Sequence, residues 1–198
     1  MQILFRILRR RPDLARWEAL PESAAVALGP RAGDCRDRFE RVVAVEPPGE
    51  PLSDGPFRRV AAAILEYRVF PPSLVEGVLR RTPIQAGDTV GILFHFLPGI
   101  DLFSAARATE TFDEFRDGLW RAGFTYRTLD GHPELGEETF SVEKHPVTGE
   151  VTAALRSWSR PGTWLTRLGR PVTRWYQVRA NRAAVRHLQQ IAEGLPGK

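Results

Sequence analysis

Apolar residues recur along this chain with two different periods. Leu14, Trp17 and Leu20 fall three residues apart, as on one side of a short helix over 12–20. Residues 39–46 alternate and read as a strand, closed by Pro47-Pro48-Gly49. After a turn-rich stretch, Phe57, Val60, Ala61, Ile64 and Leu65 line one side of a helix over about 55–67. Pro71-Pro72-Ser73 then reads as the entry to a second helix carrying Leu74, Val75, Val78 and Leu79. Proline in a first turn lacks only an N–H that the helix would not use.

After Gly87-Asp88 the period shortens to two. Val90, Ile92, Phe94 and Phe96 point one way, and Leu93, His95 and Leu97 the other. Pro98-Gly99 turns the chain into a weaker strand over 100–111. The strand over 119–128 is strong, with Trp120, Ala122, Phe124, Tyr126 and Thr128 on a single face. Strands over 138–145 and 151–159 follow, joined through Val147-Thr148-Gly149. Strands linked by short Gly/Pro turns predict an antiparallel meander. The end is helical: a short stretch over 161–168, a break at Gly169-Arg170, and a long helix from Pro171 to about Ala192. Val172, Tyr176, Ala180, Ala183, Ala184, His187 and Ile191 share one side of it, opposite Arg179, Arg182, Arg186 and Gln190.

A sheet with one apolar face must bury it, and the last helix is the long apolar partner available. The reading is therefore an α+β fold, an antiparallel meander curved around a long C-terminal helix, with two short helices after the first strand. This is the element order of START-like helix-grip folds. One domain is expected over 1–198, with a helical extension over 1–30 and the helix-grip core over 37–193. Ala180, Ala183 and Ala184 thin the helix where large sheet residues should lie, which permits either close packing or room for a ligand.

The whole chain, 42% hydrophobic and 26% charged, has the composition of an ordinary globular protein. Its single cysteine, Cys35, excludes an internal disulfide and a Cys-rich metal site, and it suits a reducing compartment. With no signal-peptide pattern and no bilayer-length apolar run, the expected location is cytoplasmic. Charge is unevenly spread. From Arg156 onward eight arginines and Lys198 face Glu193 alone, a net +8, whereas 101–150 carries eleven acidic against five basic residues, a net −6. The bland reading, a basic helix laid over an acidic sheet, is preferred to a nucleic-acid surface, because no recognised nucleic-acid module accompanies the arginines. Membrane-surface contact through Trp175 and its neighbouring arginines stays open.

The stretch from Tyr126 to Phe140 is the densest in chemistry. Phe124-Thr125-Tyr126-Arg127-Thr128-Leu129-Asp130-Gly131-His132-Pro133-Glu134, then Gly136-Glu137-Glu138-Thr139-Phe140, then Trp158-Ser159-Arg160-Pro161 resemble the signature of a family of bacteria and plants catalogued as "domain of unknown function nineteen-ninety". The chain departs from that pattern at Arg127, where the family usually has glycine, and at Trp158, where it more often has Phe. The resemblance implies the fold class and no particular activity.

His132 with Glu134, Glu137 and Glu138 can share a proton near neutral pH, which makes His132, Glu134 and Glu138 the acid/base set of an alternative reading as a cyclase- or hydrolase-type enzyme. Against it, Asp130-Gly131-His132-Pro133 is turn chemistry, and metal binding would need further ligands, so no metal or cofactor is expected. Arg160 is the expected ion-pair partner of this turn. Ser157 and Ser159 lack the sharp turn of a catalytic nucleophile, and no phosphate-cradling glycine loop is present. The leading reading is a non-catalytic binding protein for a small hydrophobic or amphipathic molecule held between sheet and last helix. Trp120, Phe124, Tyr126, Thr128, His132, Arg160, Tyr176 and His187 are its candidate contacts.

Overall fold

The computed structural model describes residues 1–5, 12–162 and 170–195. Eight strands form one antiparallel sheet: β1 (Gln2–Phe5), β2 (Cys35–Val45), β3 (Val75–Val78), β4 (Thr89–Leu97), β5 (Ile100–Arg116), β6 (Leu119–Thr128), β7 (Glu134–Lys144) and β8 (Glu150–Pro161). The helices are α1 (Leu14–Glu18), α2 (Ala24–Ala27), α3 (Pro56–Leu65) and α4 (Arg170–Ala192). Across the sheet the order is β2-β8-β7-β6-β5-β4-β3, so β4 through β8 form the expected meander and β2 returns to pair with β8. β1 pairs with residues 100–103 of β5, short of where β6 begins its own pairing at Ala106.

Turn chemistry sets the register. Asp117 and Gly118 join β5 to β6 with positive φ at both positions (51° and 79°), the two-residue turn whose twist suits a hairpin. Bulges in β2, β4 and β5 bend the sheet. Glycines draw the middle strands together. A Cβ on Gly123 would run into the Phe140 carbonyl, and one on Gly136 into that of Trp158.

The concave face holds the main core, where α3 and α4 pack on the sheet and on each other. Phe57, Val60 and Ile64 of α3 and Ala184 and Leu188 of α4 are fully buried against Phe124, Phe140 and Leu155. Arg59 of α3 donates to the Ala192 carbonyl, capping the last turn of α4, while Arg179, Arg182, Arg186 and Gln190 stay exposed. On the convex face a smaller cluster ties the N-terminal segment down, with Trp17 edge-on to Phe103 at 6.2 Å. This is the helix-grip arrangement.

Three expectations need correction. The second helix after Pro71-Pro72 is instead β3. Val75–Val78 pairs with Gly91–Phe94 of β4, and Gly77 sits where a Cβ would strike the Tyr67 ring. An unpaired β4 edge beside an inward-facing Val75 outweighs a weak helical pattern. β7 begins at Glu134, so the acidic stretch read as a turn is half strand. The helical extension expected over 1–30 opens instead on β1, whose four residues are too few for their alternation to register as a strand. The helical stretch expected over 161–168 falls almost wholly on residues outside those described.

Candidate functional site

Side chains alternate along a strand, so residues paired across neighbouring strands form rows on one face. On the concave face one row is Phe39, Leu155, Phe140 and Phe124, running through β2, β8, β7 and β6. Two residues along, the row becomes Asp37, Ser157, Glu138 and Tyr126. In the next, Ser159 pairs with Gly136, whose N–H donates to Thr128 Oγ1 at 3.0 Å. Within two residues the face changes from aromatic to polar.

A pocket of about 740 Å³ lies over these polar rows. Its opposing wall is apolar: Ile92, Phe94 and Phe96 of β4 with Leu102 of β5. From α4 come Tyr176, Gln177, Ala180 and Asn181, the Tyr176 ring resting 5.8 Å and 5.2 Å from those of Phe94 and Phe96. Tyr67 and Phe70 from the segment after α3, Val75 of β3, and Met1 and Ile3 at the N-terminus also line it. Tyr67 takes a left-handed backbone (φ 55°), and its ring meets Phe70, Phe124 and Phe140.

The polar wall carries perturbed groups. Tyr126 donates its hydroxyl to Glu138 Oε2 at 2.8 Å. Burial pushes the Glu138 carboxyl up to about 7; the Tyr126 hydrogen bond opposes this and the nearby Asp37 charge adds to it. Burial, with the Glu138 charge behind it, also pushes both the Tyr67 and Tyr126 hydroxyls up, and the two tyrosines are themselves hydrogen-bonded. Asp37 is held by both terminal nitrogens of Arg174, which pins α4 to β2 beside the pocket. His132 is kept neutral by burial, which lowers it to about 4. Its Nδ1 lies 2.6 Å from the Glu134 carbonyl and 3.2 Å from the Glu134 N–H, so the main chain of Glu134 holds the ring in place. Nε2 is buried and has no hydrogen-bond partner among the described residues.

Residues 20–187 match the family model described as Domain of unknown function (DUF1990). The chain belongs to this family. A curated relative, a UPF0548 protein of Dictyostelium discoideum, is 37% identical over 128 residues, 61% of this chain, and the match spans about 59% of that protein's length. Solved structures similar to the DUF1990 chain include the major latex-like protein 151 of Panax ginseng (13% identity, TM-score 0.46, 82% of this chain and 99% of that one). Protein CV1439 of Chromobacterium violaceum is 16% identical with a TM-score of 0.44, covering 81% of this chain and 96% of that one. The di-domain ARO/CYC StfQ of the steffimycin biosynthetic pathway is 12% identical with a TM-score of 0.49, covering 81% and 50%.

Of the residues singled out in the DUF1990 sequence, Tyr126, Thr128, His132 and Tyr176 line the pocket, together with Glu134 and Glu138. The other four do not. Phe124 lies one row deeper, fully buried among Tyr67, Tyr126 and Phe140. Trp120 sits at the far end of β6 with its ring 5.0 Å from Phe115. Arg160 alternates with Ser159 and so leaves the concave face. It stacks on Trp158, donates to the Gly29 carbonyl at 2.6 Å and pairs with Asp34 at 3.1 Å, not with the acidic turn. His187 is buried farther along α4, lowered by burial and then by Arg68, because the inward side of that helix runs through Ala180, Ala184 and Leu188. Asp37 and Tyr67 are the residues that sequence reasoning missed. No motif marks either, and only strand register and the turn after α3 bring them in. Among the described residues no group of three or more His, Cys, Asp or Glu is placed to hold a metal, and no helix is long and apolar enough to cross a membrane.

Proposed function

We propose that this DUF1990 protein binds a small hydrophobic or amphipathic molecule in the pocket between the sheet and α4. One observation carries the reading: a volume of about 740 Å³ with an apolar wall of β4 and β5 facing a short polar row on β6 to β8 and β2. Pockets of this size and polarity bury most of a small ligand, the apolar wall supplying affinity and the few polar groups orientation. The single cysteine fits a cytoplasmic setting.

Native mass spectrometry of the purified protein is expected to show a co-purified molecule. The neutral probe N-phenyl-1-naphthylamine is expected to brighten on binding and to raise the melting temperature in proportion to its occupancy. Ala180→Trp places an indole from α4 into the same space and is expected to abolish both effects while the protein stays folded by circular dichroism. Equal probe binding by wild type and Ala180→Trp would reject the pocket as the binding site.

A second reading, acid/base catalysis, is favoured by one feature. Glu138 is poised to hold or release a proton near neutrality beside the Tyr126 hydroxyl. In that reading Glu138 is the acid/base. The neutral His132 ring is engaged by the Glu134 main chain, so it can position substrate. Loss of turnover in Glu138→Gln, with substrate still bound, is the result that would raise this reading above simple binding.

A further inference from the structure

The outward side of α4 carries one stripe at three- and four-residue spacing: Trp175, Arg179, Arg182, Arg186 and Gln190, all exposed. The 23 residues of this helix include no Asp or Glu. Arg174, off the stripe, is committed to Asp37, whereas among the described residues no carboxylate pairs with Arg179, Arg182 or Arg186. Arg179 instead lies over the Trp175 indole, 5.2 Å from its centroid, and that indole is 54% exposed.

The apolar end of the stripe meets exposed apolar side chains of the sheet. Trp175 packs on Tyr176 at 4.9 Å, and Tyr176 on Phe96 at 5.2 Å. Leu97 follows Phe96 and pairs with Ile100, whose neighbour on its other side is Phe5. Ile3, Phe5 and Leu97 are all exposed, and Ile3 also lines the pocket, so the cavity reaches the surface inside this apolar border. Carboxylates at this end of the sheet are largely answered. Arg174 sits between Asp37 and the Glu134 charge, Glu137 pairs with Arg127, and Asp101 and Glu76 flank His95. Exposed Asp130, on the turn after β6, opposes the three arginines with a single charge.

We infer that this surface docks on an anionic lipid bilayer, with Trp175, Ile3, Phe5 and Leu97 entering the headgroup layer and Arg179, Arg182 and Arg186 meeting the lipid phosphates. An indole beside arginines suits the boundary between water and acyl chains, and the aliphatic border adds apolar area to bury there. Nucleic acid would stack on the indole and pair with the arginines, but it offers Ile3, Phe5 and Leu97 no apolar layer to enter. The surface is built from side chains outside the polar row, so it stands whether or not the pocket is filled.

The test is co-sedimentation with vesicles of phosphatidylcholine, alone or with about one quarter phosphatidylglycerol, at about 0.1 M salt. Wild type is expected to bind the anionic vesicles at least about tenfold tighter than the neutral ones, and about 0.5 M salt should weaken that binding at least about fivefold. Arg179→Gln, Arg182→Gln and Arg186→Gln combined should weaken it at least about thirtyfold, on the basis of roughly fivefold for each charge removed. Trp175→Ala combined with Phe5→Ser should weaken it at least about fivefold. Val147→Ala, exposed on the turn between β7 and β8 at the other end of the sheet, should bind as wild type does. Melting curves confirm that each variant is folded; if the triple variant is not, Arg182→Gln alone, with its expected loss of about fivefold, decides. Equal binding to the two kinds of vesicle, binding to neither, or full binding by the arginine variant or by Trp175→Ala with Phe5→Ser overturns the inference. Retention on duplex DNA that the arginine variant loses, without vesicle binding, reassigns the stripe to nucleic acid and overturns it too.

Discussion

Tyr126 and Glu138 stand directly opposite one another on β6 and β7, and the tyrosine hydroxyl donates to the carboxyl at 2.8 Å. Each strand alone reads as an ordinary amphipathic strand; the pair exists because register sets them side by side. Burial raises the Glu138 carboxyl from 4.5 to about 7 in the folded protein. Between those two values the folded state holds a proton that the unfolded chain has released. The contribution of this group to stability is therefore complete below pH 4.5 and is lost as pH rises to about 7. Glu138→Gln removes the ionisation. Relative to wild type it should gain stability at pH 8, on the order of 1–2 kcal/mol, and gain nothing at pH 4.5. Urea denaturation at the two pH values measures this, and equal differences at both would disprove the assigned burial.

His132 works in the opposite sense. Its folded-state pKa is depressed from 6.5 to about 4 by burial, so its contribution is present above pH 6.5 and fades as pH falls toward 4. His132→Phe, which cannot protonate, should show a flatter decline in melting temperature between pH 6.5 and 4 than wild type. Differential scanning fluorimetry across that window checks it. A parallel decline in the two proteins would mean that the ring is solvated.

Asp37 adds its charge to the causes that hold Glu138 high, and Arg174 partly offsets that charge by pairing with Asp37. Asp37→Asn should thus lower the Glu138 midpoint, on the order of half a unit given the intervening distance and solvent screening. The same change removes the anchor between β2 and the first turns of α4. Carbon-detected NMR titration of the Glu138 carboxyl separates the two effects, because loss of the anchor shifts backbone resonances of α4 at every pH.

How much of this was legible beforehand depends on the range of the interactions involved. β6 spans Leu119–Thr128, the limits its alternation predicts, and α3 differs from its expected helix only at the ends. Those signals are local. The segment over 75–78 was misread because its four residues carry too little pattern to outvote a proline-opened helix, while their partners on the β4 edge, Gly91 to Phe94, come only after the intervening turn. Tyr126, Thr128 and His132 stood out because they share one motif-rich stretch. Asp37 joins them only through its pairing with Ser157, a contact across 120 residues that no periodicity reports. Arg160 looked like the partner of the acidic turn until strand parity turned it to the other face.

Lys144 and Glu46 form a fully buried ion pair at 3.1 Å at the other end of the sheet from the pocket. It is well built. Lys144 also donates to the Glu50 carbonyl at 2.7 Å, and Glu46 accepts the N–H of Leu52 at 3.1 Å and of Phe57, in the first turn of α3, at 2.9 Å. Glu46 therefore joins β2, the following loop and the start of α3, where a negative charge also suits the helix dipole. Removing the lysine leaves a buried carboxylate with two backbone donors and no counter-ion, which costs about 3–5 kcal/mol in comparable cases. Lys144→Met is expected to lower stability by that amount. Lys144→Met with Glu46→Gln should recover part of it, since the amide oxygen can still accept from Phe57 and no charge is stranded. Chemical denaturation of the two single variants and the double variant completes the cycle. If Lys144→Met alone cost less than about 1 kcal/mol, solvent would have to reach the pair, and Glu46 would be an ordinary surface cap on α3.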